Sequence, residues 1–158
     1  MKNTFFESLK TIFLRDLDKL KSEIEQYPDD AAVWVIKYEI KNSAGTLVLH
    51  LCGNLQHYIG VGLGKSDYKR NRDNEFAARN VSRADLYKEI ERAKHAVEST
   101  LTKASPDILE TEYPLPVYDY PMTVQYFMMH LAAHFGYHLG QVNYHRRLTS
   151  HISQPTTT

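Results

Sequence analysis

The chain has one cysteine, no membrane-length apolar run, no internal repeat and no excess of charge of either sign. With Cys52 alone, an internal disulfide framework is excluded and a reducing compartment is expected. Lys+Arg and Asp+Glu both number 19 among 158 residues, so no global field points to nucleic acid or to an anionic membrane surface. No stretch approaches the roughly 20 apolar residues of a membrane span. The opening MKNTFFESLKTIFLRDLDKL carries acids every few residues and lacks the continuous apolar segment of a signal peptide. The expectation is a cytoplasmic protein with one domain over residues 1–150 and a loose tail, 151–158, that has no apolar payload.

Helical periodicity dominates what is present. Thr4 with Glu7 three residues on is a capping box, and Phe5, Leu9, Ile12, Phe13, Leu17, Leu20 and Ile24 recur as one helix face to about Gln26. The segment AAVWVIKYEIK that follows Pro28 reads either as a short strand or as an irregular turn. A second helix starts near Asn42 or Ser43 and carries Leu47, His50, Leu51, Leu55 and Ile59 before Gly60, Gly62 and Gly64 break it. The polar run from Lys65 to Val81 is expected to be a long connection. Ser82 with Asp85 opens a third helix, to about Lys103. Prolines at 106, 114, 116 and 121 exclude a helix between Ser105 and Pro121. Thr123 caps the fourth, which runs to about Leu148. Four amphipathic helices with little strand signal predict an all-α fold, a four-helix bundle with two long connections.

The fourth helix holds half of the chain's eight histidines, at 130, 134, 138 and 145. His134, His138, Gln141 and His145 share one face, and two imidazoles at i and i+4 on a rigid helix can aim at one cation. His130 with His134 is an alternative pair. A zincin site is excluded, because HExxH needs a glutamate where Phe135 stands. Two imidazoles leave a divalent ion short of ligands, and His50, in the middle of the second helix, is the natural third. His57 lies about 10 Å further along that helix, and Cys52 about 200° around it. Glycines Gly53, Gly60, Gly136 and Gly140 suggest close helix approach.

The strings LVLHLCGNLQHYIG, YKRNRDNEF and HLAAHFGYHLGQVNYHRR, in this order along nearly the whole chain, resemble the DinB/YfiT-like superfamily of metal-binding four-helix bundles. The resemblance implies a long crossover between helices 2 and 3 and frequent homodimers. It also implies a divalent metal, often zinc or nickel, held by His50, His134 and His138 with positions open to water or substrate. Characterised members include thiol S-transferases, hydrolases and isomerases.

Three neutral imidazoles would leave the ion its full charge, lowering the pKa of bound water or thiol. No carboxylate lies at helical spacing from the three histidines, which favours activation of a low-molecular-weight thiol over hydrolysis. Asn54 and Gln141 are candidates to contact substrate or to orient the imidazoles. Arg70 and Arg72, with Asp73 and Glu75, could clamp a carboxylate-bearing thiol or form an internal salt-bridge set. Tyr58, Tyr137 and Tyr144 are candidate pocket aromatics. The expectation is a metal-dependent enzyme acting on a small molecule, and the alternative is a non-catalytic metal- or ligand-binding stress-response bundle.

Overall fold

The computed structural model describes residues 4–150, with the side chains of Thr4 and Ser150 excepted. The capping role expected of Thr4 and the expected tail over 151–158 therefore fall outside what is described. Five α-helices carry the fold, α1 (Thr4–Glu25), α2 (Ala44–Leu55), α3 (Arg72–Ala77), α4 (Arg83–Leu101) and α5 (Val124–Ser150). Among the described residues there is no strand, only an isolated bridge between Glu112 and Thr123.

The caps sit where short polar side chains can accept the first free backbone N–H groups. Ser43 Oγ accepts from Thr46 N at 3.1 Å, Ser82 Oγ from Asp85 N at 3.1 Å, and Thr123 Oγ1 from Tyr126 N at 3.1 Å. The ambiguous segment after Pro28 is an irregular turn containing a 3₁₀ turn, Ala32–Trp34, that buries Val33 and Trp34. Three elements depart from the sequence reading, one of them a 3₁₀ turn, Pro106–Ile108, in the stretch where the prolines are expected to exclude helix. Beyond Leu55 the second helix widens into a π turn, Gln56–Val61, instead of continuing as α-helix. The polar run from Lys65 to Val81, expected to be plain connection, contains α3, capped by Asn71.

Helix α1 packs on α4 and α5, and α2 packs on the same two helices while also carrying α3 on its outer face. The inward stripe of α1 is Phe6, Leu9, Phe13, Leu17, Leu20 and Ile24; Phe6, not Phe5, is the aromatic fully removed from water. Facing it are Leu86, Ile90, Ala93 and Val97 of α4, with Phe127, Leu131 and Phe135 of α5. Each large side chain buried this way contributes about 1.5–3 kcal/mol relative to exposure. Tyr113, in the proline-rich connection, donates to Tyr58 O at 2.6 Å and packs on Phe127 at 4.3 Å between ring centroids. That connection is thus fastened beside the end of α2. No helix among the described residues is long and apolar enough to cross a membrane.

Candidate metal centre

Because α2 packs on α5, the middle of one faces the first half of the other. His50 is buried there, and His134 and His138, one turn apart, project from α5 half-buried. One ring nitrogen from each of the three lies within 4.8 Å of the others. His50 Nε2 and His134 Nε2 are 3.3 Å apart. Two nitrogens bound tetrahedrally to one ion at about 2.0–2.1 Å stand about 3.3–3.4 Å apart, so this separation fits two ligands on one centre.

The remaining ring nitrogens are tied down on two of the three. His50 Nδ1 faces Glu75 Oε2 at 3.2 Å, and His138 Nδ1 faces Gln141 Oε1 at 2.6 Å. An amide oxygen only accepts, so His138 Nδ1 carries the proton and its Nε2 presents a lone pair to the site; His50 Nδ1 lies between an acceptor, Glu75 Oε2, and a donor, Arg70 Nη2 at 3.4 Å. His134 Nδ1 is buried without a hydrogen-bond partner. Neutral imidazole is the ligating form, and the surroundings of His134 and His138 favour it. Burial, with His138, His50 and His130 close by, pushes the His134 pKa down to about 4. Burial and His50 lower that of His138, against the opposing effect of the bond that its Nδ1 donates to Gln141 Oε1.

Glu75 forms with Arg70 the internal salt bridge that is one of the two readings of this run, and adds a contact to His50 that the sequence does not show. Its side chain is 6% exposed, reached at 2.7 Å by Arg70 Nε and at 2.9 Å by Arg70 Nη2. Burial pushes its carboxyl up, but hydrogen bonds from His50 and Arg70 outweigh that and hold it below the usual range. A carboxylate does therefore reach the histidines, contrary to the expectation from helical spacing, but on the far side of His50 from the site. It orients the imidazole and does not face the cleft. Gly53, on the same turn of α2, makes room for it: a Cβ at 53 would overlap Glu75 Oε1 and come within 2.9 Å of Cδ. Gly136 and Gly140, expected to allow a close approach, have nothing within 4 Å of the place a Cβ would occupy.

The three histidines form the floor of a cleft of about 420 Å³. Asn54, Tyr58, Arg70 and Arg72 line it, together with His130, Phe76 and Val117. His130 is not brought into the ligand cluster; its Nε2 pairs with Tyr118 OH at 2.9 Å. Gln141 meets His138 and does not line the cleft. Tyr137 and Tyr144 are exposed on the outer face of α5, and Asp73 is exposed on α3. His145 is a buried neutral latch, taking Tyr27 OH on Nδ1 at 2.7 Å and donating from Nε2 to Val35 O at 2.8 Å. Cys52 is fully buried on the opposite side of α2, where burial drives its thiol pKa well up. His57 sits in the π turn outside the cleft.

Compared with known families, residues 1–153 match the model of a family described as "Protein of unknown function (DUF1572)", and the chain belongs to that family. No curated protein matches the chain.

Proposed function

We propose that this member of the DUF1572 family is a divalent-metal-dependent enzyme that activates a low-molecular-weight thiol, or water, for transfer to a small electrophile. The observation that carries the reading is the convergence of three imidazoles, with Nδ1 occupied on two of them and the Nε2 atoms of His50 and His134 3.3 Å apart, on the floor of an accessible cleft. A divalent ion held there, zinc or nickel by ligand type, would supply Lewis acidity sufficient to ionise a thiol or water near neutral pH. His50, His134 and His138 would hold it. Glu75 fixes the His50 ring, Gln141 the His138 ring, and Asn54 and Tyr58 offer polar atoms to a bound molecule beside them. No Asp or Glu lines the cleft, so no carboxylate base stands ready for hydrolysis and thiol activation is favoured over water.

The packing of α1 and α2 on both α4 and α5 supports a four-helix bundle of the DinB/YfiT-like kind, with the segment carrying α3 as its crossover. We further place the protein in the cytoplasm, as a homodimer with the exposed Met129, Tyr137, Tyr144 and Leu148 of α5 as the contact face. The deciding experiment assays zinc- and nickel-loaded protein with a panel of small thiols and an electrophile, alongside His138→Ala. Thiol-dependent turnover lost in the variant is expected. Metal binding with no turnover of any thiol, ester or amide would replace this reading with the non-catalytic metal- or ligand-binding role.

A further inference from the structure

The cleft has two ends of different chemistry, and only one has been used so far. Its lining contains four histidines and two arginines but no acid. Arg70 is neutralised by Glu75. Arg72 is not: among the described residues no carboxylate lies within ion-pair distance of Arg72, Arg79 or Arg147, and of these three only Arg72 lines the cleft. Its guanidinium sits over the Phe76 ring at 5.1 Å, and Phe76 packs on the His50 ring at 5.1 Å between centroids. The charge is therefore held no more than about 10 Å from His50 by a stacked aromatic, with its N–H fork free.

An unpaired guanidinium, fixed by stacking at the mouth of an acid-free cleft, matches a bidentate oxyanion. Between the two ends lies the Phe76 ring, which touches both the Arg72 guanidinium and the His50 imidazole and gives an apolar surface for a few carbons. We propose that the cleft selects a small organic anion whose oxyanion group is held by Arg72 and whose other end reaches the three histidines. Arg72 is thus a specificity residue. The histidine end of this inference rests on the metal reading above; the Arg72 end does not.

The test is calorimetric titration of zinc-loaded protein with 3-mercaptopropionate and with 2-mercaptoethanol, in the native chain and in Arg72→Gln. Arg72 is exposed, so the variant is expected to fold. The acid should bind at least tenfold more tightly than the neutral thiol to the native chain, and Arg72→Gln should erase that gap while leaving 2-mercaptoethanol unchanged. Arg72→Lys, which keeps the charge but loses the fork, should restore only part of it. Competition by acetate against inorganic phosphate then tells a carboxylate site from a phosphate site. Equal binding of the two thiols, or a gap that persists in Arg72→Gln, overturns the proposal. Failure of the metal reading shows separately, as no zinc uptake; glutarate binding to metal-free protein then decides. Weakening of at least tenfold in Arg72→Gln supports the proposal, and no binding or unchanged binding overturns it.

Discussion

Gly53→Ala is the substitution on which the role assigned to Glu75 turns. In the interior of a helix, alanine normally stabilises by about 1 kcal/mol over glycine. Here the added methyl group occupies the position of Glu75 Oε1, a carboxylate pinned between Arg70 and His50 and unable to step aside without breaking with both. Separating a buried ion pair costs about 3–5 kcal/mol. Set against the helix gain, this leaves a net loss of about 2 kcal/mol once Arg70 finds partial solvation. For a chain of this length that lowers Tm by about 4–8 °C. With the His50 ring no longer held, metal affinity should fall about 10–100-fold. Thermal melts of metal-free protein read the first effect, and competition against a chelating dye reads the second. In a Glu75→Ala background the obstacle is gone, so Gly53→Ala should there stabilise by about 1 kcal/mol. A Gly53→Ala protein with raised Tm and native affinity would refute the argument.

Gly136→Ala and Gly140→Ala should behave oppositely, each adding about 0.5–1 kcal/mol in the monomer, because the methyl enters open space; a measured loss instead would reveal a partner packed on that face of α5. His145 should make stability fall in acid. Burial lowers its pKa in the folded chain, so the unfolded chain takes up the proton first. Its contribution is intact above the unfolded value of about 6.5 and is lost as pH falls below that toward the folded value. Urea midpoints at pH 7.5 and 5.5 should differ less in His145→Gln than in the native chain; an equal difference would contradict the buried-neutral assignment.

What the sequence makes legible is what repeats locally. The spacing of His134 and His138, the caps at Ser43, Ser82 and Thr123, and the stripe from Leu9 to Ile24 are all set within one or two helical turns, and the structure shows each of those caps. What depends on distant contacts was not legible. Glu75 lies in a polar run without periodicity, and nothing within that run shows that its carboxylate is buried against a histidine 25 positions earlier. Gly53 looked like a site of helix approach, whereas its neighbour is a single side chain from α3. The six residues of α3 are too few to display a period, although Asn71 followed by Asp73 was an available start signal. The π turn after Leu55 likewise leaves no mark in a pattern of apolar residues.

The central claim is that His50, His134 and His138 form one metal site. Its most direct measurement is equilibrium dialysis of the native chain and of His50→Ala, His134→Ala and His138→Ala against zinc and nickel, with bound metal counted by mass spectrometry. One ion per native chain and a large loss of affinity in every variant is the predicted result. No metal on the native chain, or native affinity retained in His134→Ala, would contradict it.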